Sequence, residues 1–311
     1  MKRIISLVLS LIMIASLLSG CAIRITIERA GSTASDIGAD PLFWKVTGED
    51  GATLYLFGTI HIGDERSDAV YAELEKYLDA CDSLAVEVDL VEFRSDGETI
   101  DEYLDAMRYT DGTTIEDHVP RRLYVKMKDI VYTAGLSPDD YMYGNCAFWN
   151  QLVSSIKTAQ TGYTSEHGMD VLLIGGANER NMEVRSIESA EFQLNLLNDV
   201  WSDDTASLNA AVDTPVSSLK LSYKIMYSAW LTGDENFFEV TFSMQDPAII
   251  GGLLDDRNPG MAEFAKGCLE SGDSVFLAVG AGHMVGDTGI VQELADAGYK
   301  VERIHITDGV K

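Results

Sequence analysis

The 311 residues carry 50 Asp and Glu against 23 Lys and Arg, a formal net charge of −27, with 46% hydrophobic side chains. A surface so acidic repels phosphate backbones and anionic headgroups, which argues against nucleic acid as a partner; it suits cationic ligands, divalent metals, or simply solubility. Of the four cysteines, the three beyond Cys21 are an odd number and too few for a disulfide scaffold, so at most one bridge could form, and none belongs to a Cys-x-x-Cys pair.

The chain opens on a basic Met1-Lys2-Arg3, runs apolar from Ile4 to Leu18, and closes that run with Leu18-Ser19-Gly20-Cys21. The apolar stretch is too short to span a bilayer and reads as a secretory signal over residues 1–20. Its end resembles a bacterial lipobox. That implies cleavage before Cys21, a lipid on the Cys21 thiol, and an exported protein anchored on the outer face of the cell membrane. The bland alternative is ordinary secretion with an incidental Cys21. Residues 21–40 are small and polar, as in a tether, and 41–311 are long enough for a single large domain. Cys81, Cys146 and Cys268 lie among apolar neighbours and read as small buried hydrophobes.

Strands are predicted over Phe43 to Val46, Thr53 to Phe57, Ser83 to Val88, Met182 to Ser186, Ser274 to Val279 and Lys300 to Ile306. Asp64 to Cys81 places Val70, Leu74, Tyr77, Leu78 and Cys81 on one helical face, and Gly289 to Ala297 does the same with Ile290, Val291 and Leu294. Helical spacing dominates the middle, about residues 99–270, for instance around Leu123, Met127, Ile130 and Val131, over Phe192 to Trp201, and over Leu219 to Leu231. The pattern defines an α/β (α+β) fold. A central, mostly parallel sheet is flanked by helices, and a helical lobe is inserted between two βαβ-like halves.

Two strands end alike. Leu54 to Phe57 is followed by Gly58-Thr-Ile-His61, and Val275 to Val279 by Gly280-Ala-Gly-His283. Ligands gather outside the carboxyl ends of strands in open α/β sheets, so two such ends can converge in space. The strand after His61 adds an acid: Ala85, Glu87 and Asp89 share one face of Ser83 to Val88, and a Glu in so apolar a run is costly unless paired or coordinated. Two neutral imidazoles and one carboxylate form the ligand set of many catalytic divalent-metal sites, so His61, Glu87 and His283 are candidate metal ligands for Mn, Co or Zn. A capping histidine and an exposed strand terminus are the bland readings of these residues.

The segments Gly58-Thr-Ile-His61-Ile-Gly-Asp64, Glu87 one strand later, and Gly280-Ala-Gly-His283 resemble the TraB/PrgY/GumN proteins, which include the Tiki membrane-tethered proteases. Gly168-Met-Asp170, Ile187-Glu188-Ser-Ala-Glu191-Phe-Gln193, Trp230-Leu-Thr-Gly233-Asp234 and Asp256-Arg257-Asn258 support the resemblance in order. The resemblance implies a fold like that of erythromycin esterase and the ChaN haem proteins. It also implies a divalent-metal-dependent hydrolase, peptidase-like, acting on a peptide or protein substrate through His61, Glu87 and His283. Arg257 and Asn258 match the family's Arg-Asn pair. Arg257 is a candidate for holding a substrate carboxylate or developing oxyanion, or else a helix-cap or ion-pair residue. Glu188 is either an orienting partner of a ligand or of Arg257, or a solvated helix start. Asp64 either bonds the His61 loop or, preferably, caps the following helix. The alternative function is a non-catalytic protein that sequesters a peptide signal or other small ligand. Haem carriage draws no support from any Tyr or Met pair beside either histidine.

Overall fold

Burial and backbone pairing gather the sequence-predicted strands into one six-stranded sheet. The computed structural model describes residues 37–48, 51–89 and 104–306; Cys21, the signal, most of the tether and the start of the helical middle at residue 99 lie outside them. The strands are β1 (Phe43–Thr47), β2 (Thr53–Thr59), β3 (Ser83–Val86), β4 (Glu183–Ser186), β5 (Val275–Gly280) and β6 (Lys300–Arg303), in the spatial order β4-β3-β5-β2-β1-β6. β4, β3, β5 and β2 pair in parallel, while β1 runs antiparallel to both β2 and β6. Only β1 is reversed, so the sheet is mostly parallel.

The central strands are apolar on both faces, as a sheet covered by helices requires. Leu54, Leu56, Phe57, Leu84, Phe276, Leu277 and Val279 are fully buried, each contributing about 1.5–3 kcal/mol by leaving water. The edges are different. β4 reads Glu-Val-Arg-Ser and β6 reads Lys-Val-Glu-Arg, and charges on edge strands discourage pairing with another chain.

Helices of seven residues or more among the described residues are α1 (Arg66–Leu78), α2 (Arg121–Thr133), α3 (Cys146–Thr158), α4 (Met169–Glu179), α5 (Ala190–Trp201), α6 (Thr205–Asp213), α7 (Val216–Leu231), α8 (Glu235–Ser243), α9 (Asn258–Ser271) and α10 (Ile290–Asp296). The described residues fall into two compact units. One is helical, formed within 92–163 and 189–224, and holds α2, α3, α5, α6 and the start of α7. The other, within 23–91, 164–188 and 225–311, holds the whole sheet with α1, α4, α8, α9 and α10. The helical middle expected from the sequence is therefore interrupted by α4 and β4, which belong to the sheet unit.

In the helical unit, Lys157 on α3 is buried and its ammonium donates to the carbonyls of Ala211, Val212 and Thr214 at 2.7, 2.6 and 2.9 Å. These acceptors lie at the C-terminal end of α6, where a helix leaves carbonyls unpaired and favours positive charge. In the sheet unit, the buried Trp230 ring packs edge-on to Phe57 and its Nε1–H donates to the Gly58 carbonyl at 2.8 Å. That bond, with the Gly58 N–H donating to the Leu42 carbonyl at 2.9 Å, fixes β2 where its chain leaves for His61. Cys81, Cys146 and Cys268 are free thiols, the last two buried and Cys81 half-buried. No helix among the described residues is long and apolar enough to cross a membrane.

Several boundaries differ from the sequence expectation. β2 and β5 each run on to the motif glycine or past it, because their parallel register pairs Gly58 with Val279 and Thr59 with Gly280. β3 stops at Val86 rather than Val88: its pairings to β5 and β4 end at Val86↔Ala278 and Val86↔Ser186, so Glu87 lies just past the strand end. β6 ends at Arg303, and His305 lies beyond it, its Nδ1 2.6 Å from Asp40 Oδ2.

Candidate active site

β2, β3 and β5 are neighbours in one parallel register, so the residues just past their carboxyl ends meet at one rim of the sheet. His61 follows β2, Glu87 follows β3, and His283 ends the short turn Ala281–His283 after β5. Gly280 marks where they converge. A Cβ on it would lie 3.2 Å from Glu87 Oε1, 3.7 Å from His61 Nε2 and 3.7 Å from His283 Cδ2. Any side chain at 280 would intrude on the space the three groups share, which is a physical reason for glycine there.

Each imidazole is held from behind. His61 Nδ1 lies 2.8 Å from Asp170 Oδ2, and a carboxylate can only accept, so Nδ1 carries the proton and Nε2 offers its lone pair. Asp170, in the first turn of α4, is 6% exposed and also accepts from Thr59 Oγ1 at 2.7 Å. The Met169 N–H donates to the Ile60 carbonyl at 2.9 Å, and a Cβ at Gly168 would run into the His61 carbonyl; this close approach seats Asp170 under His61. His283 is 2% exposed, and its Nδ1 lies 2.6 Å from Asn258 Oδ1. The amide orientation is fixed because Asn258 Nδ2 donates to the Thr288 carbonyl at 2.8 Å, so Oδ1 must accept and Nε2 of His283 again presents a lone pair.

Between them Glu87 is bound on both oxygens. Oε1 accepts from the Gly280 N–H at 2.7 Å and lies 3.8 Å from His283 Nε2, and Oε2 accepts from Arg257 Nη2 at 2.5 Å. Arg257 forks onto Glu188 through Nε at 2.8 Å and Nη2 at 2.6 Å, and its Nη1 donates to the Leu253 carbonyl at 2.8 Å. The side chains of Arg257, Glu87 and Glu188 are only 8%, 13% and 11% exposed.

The electrostatics follow from this wiring. Burial pushes the Glu87 carboxyl up, but His283, Arg257, His61 and the Gly280 N–H together hold it well below the usual carboxylate range. Burial lowers His283 to about 4, the facing Glu87 carboxylate only partly opposing it, so the ring is neutral near pH 7. Burial also works against a charged His61, yet the Asp170 carboxylate and its hydrogen bond, with Glu87, outweigh it and leave His61 above its ordinary value. Burial opposes the Arg257 charge, and the two glutamates overcome it. The two histidines thus differ in kind: one is a strengthened base, the other a neutral nitrogen donor.

Of the residues singled out from the sequence, His61, Glu87, His283, Arg257, Asn258 and Glu188 come together here. Asp64 stands apart from the hydrogen bonds around His61. It accepts from the Arg66 backbone N–H at 3.1 Å and from the Arg66 guanidinium at 2.9 and 2.7 Å, at the start of α1. Asp170 and Thr59 were not among the sequence candidates, although Gly168-Met-Asp170 before a helix carried a signal for the first.

The donor chemistry suits a divalent ion. Two imidazole Nε2 lone pairs and one carboxylate border the same small space, each histidine backed by an oxygen acceptor as metal-ligating histidines usually are. Among the described residues no three His, Cys, Asp or Glu side chains are already spaced to hold an ion. The residues that would hold an ion there are His61, Glu87 and His283.

Fold and site together define an α/β protein with a two-histidine, one-glutamate centre at the carboxyl rim of its sheet. The chain belongs to the TraB/PrgY/gumN family, whose model matches residues 42–303. It is 23% identical over 243 residues to the uncharacterized protein YbaP of Escherichia coli (strain K12), covering 77% of this chain and 87% of that one. The YbaP protein of Shigella flexneri matches with the same figures. No solved structure matches.

Proposed function

We propose that the protein is an exported, lipid-anchored hydrolase that cleaves an amide bond in a peptide or protein, with the assistance of a divalent metal ion. The observation that carries this reading is the convergence of His61 Nε2, Glu87 Oε1 and the His283 ring around the bare Cα of Gly280. His61, its Nδ1 proton committed to Asp170, has one lone pair to give, at Nε2: without an ion it is the general base that takes a proton from water and passes it on to the leaving amine, and with an ion it is a ligand and the ion activates the water instead. Arg257, held between Glu87 and Glu188, turns part of its guanidinium toward negative charge that develops on the substrate carbonyl. Glu87 keeps His283 and Arg257 in place. A divalent ion held by His61, Glu87 and His283 would supply a Lewis acid for the carbonyl and a more acidic water.

The anchor rests on the Leu18-Ser19-Gly20-Cys21 run after a basic and apolar start. Fatty-acid labelling of the expressed protein, lost in Cys21→Ser, tests it. The metal is tested by elemental measurement on the purified protein. About one Mn, Co or Zn per chain is expected, lost in His61→Ala and in His283→Ala; equal metal in wild type and both variants would remove it.

A further inference from the structure

Beside this centre, within the sheet unit, is a pocket of 280 Å³. Phe242, Ile250, Leu254 and Val285 give it apolar walls. Its charged residues, Glu239, Asp255 and Asp287, are all acidic and all exposed. Among the described residues no Lys, Arg or His lines it. At the low end of ligand-pocket sizes, roughly 300–1,000 Å³, it has room for one long side chain rather than a large cofactor.

The pocket is preformed. Asn258 Nδ2 donates to the Thr288 carbonyl at 2.8 Å, and Thr288 Oγ1 donates to Asp255 Oδ1 at 2.7 Å. Those bonds tie the 285–288 loop to the chain entering α9, and Gly286, at φ +83°, makes the turn that Val285 and Asp287 flank. The Phe242 ring lies directly on Gly282, where a Cβ would come within 2.8 Å of it. The pocket also adjoins the centre. Asn258, which holds His283, lines it, and Gly282 lies two residues from Gly280. Two Cα steps span at most about 7.6 Å, and an extended peptide advances about 3.3–3.6 Å per residue. A substrate side chain one or two residues from the bond at Gly280 therefore reaches it.

We infer that this pocket receives an alkyl side chain with a cationic tip, that of a Lys or Arg residue of the substrate, next to the bond that is cut. The inference rests on the hydrolase reading for the word substrate, but its binding component does not. Methylene groups lie against Phe242, Ile250, Leu254 and Val285, and the ammonium or guanidinium meets the acidic rim. A carboxylate-tipped side chain is rejected by the same rim.

The test is binding of Nα-acetyl-lysine methylamide and its norleucine counterpart to the purified full-length protein, followed by NMR shifts. The lysine compound should bind at least tenfold tighter. The advantage should be lost in Glu239→Gln/Asp287→Asn, whose two sites are exposed and whose fold is checked by circular dichroism, and should fall sharply from 0.15 to 1 M salt as the Debye length drops from about 8 to 3 Å. Equal binding of the two compounds, or an unchanged advantage in the double variant, would overturn the pocket's assignment. His61→Ala separates the two readings, because it should abolish peptide cleavage and keep lysine binding. Lysine-selective binding by a wild type that cleaves nothing removes the hydrolase reading alone. Cleavage without any lysine or arginine preference removes the pocket alone.

Discussion

Arg257 is the most exposed prediction of the site's wiring. In Arg257→Met a buried guanidinium is replaced by an apolar side chain of comparable length, and three contacts to carboxylate oxygens, at 2.8, 2.6 and 2.5 Å, are lost. One positive charge between two glutamates becomes none, so the buried group goes from a formal −1 to −2. Removing one partner from a buried ion pair costs about 3–5 kcal/mol, because the remaining charge is left in a poor environment. The carboxylates here are only 13% and 11% exposed, so solvent offers little screening and the full range applies. The sign with pH is also fixed. Glu87 is depressed in the folded protein relative to an ordinary value of 4.5, so it contributes stability that is present above that value and lost as pH falls. Arg257 is one of the charges that depress it, so the variant's penalty is largest at pH 7.5 and shrinks toward pH 4. Urea denaturation at both pH values, followed by circular dichroism, measures this. Adding Glu188→Gln to Arg257→Met should recover ~1–3 kcal/mol by relieving the uncompensated charge. A loss below about 1 kcal/mol at pH 7.5 would refute the reasoning, as would a penalty that does not vary with pH.

Other consequences are as direct. Asp170→Asn should free the His61 tautomer and lower its pKa, seen as a shift in the imidazole ¹⁵N titration; an unmoved titration would deny Asp170 its orienting role. His283, lowered from 6.5 to about 4, resists a proton that the unfolded chain accepts. Its contribution to stability is thus present above 6.5 and is lost as pH falls from there to 4, by about 3 kcal/mol at 1.36 kcal/mol per unit. Wild type should lose that much more than His283→Asn over this window, and parallel curves would contradict it. Lys157→Met strands three carbonyls at the end of α6 and should cost ~2–4 kcal/mol in thermal or urea unfolding; a neutral result would mean water replaces the ammonium without loss.

Much of the fold was legible because the sheet is written in unbroken apolar runs: Leu54 to Phe57, Ser83 to Val86 and Val275 to Val279 have no competing helical period. The identical Gly-x-x-His ends of two such runs could be read as a pair, since parallel strands discharge their ligands at one rim. What was not legible depends on contacts distant in sequence. Strand alternation placed Glu87 within β3, but the ladder to β4 and β5 ends at Val86, and just past it the Glu87 side chain meets the Gly280 N–H and Arg257. Asp170 is 109 residues from His61, and nothing local in Gly168-Met-Asp170 says which ring it will support. Asn258 was legible as one of a pair with Arg257, but the two residues serve different histidine and glutamate partners, a division set by the first turn of α9. The acidic pocket joins residues of α8, the 250–258 segment and the 285–288 loop, three stretches whose sequences show no shared period.

Turnover at His61, Glu87 and His283 is the central claim for this site. The decisive measurement is mass-spectrometric analysis of a broad peptide library incubated with the purified protein supplied with Mn, Co or Zn, set beside folded His61→Ala and Glu87→Gln. Wild type should give defined cleavage products, and both variants should fall by ~10²-fold or more, the usual worth of a positioned acid or base. No products from wild type with any of the three metals, or equal products from all three proteins, would contradict it.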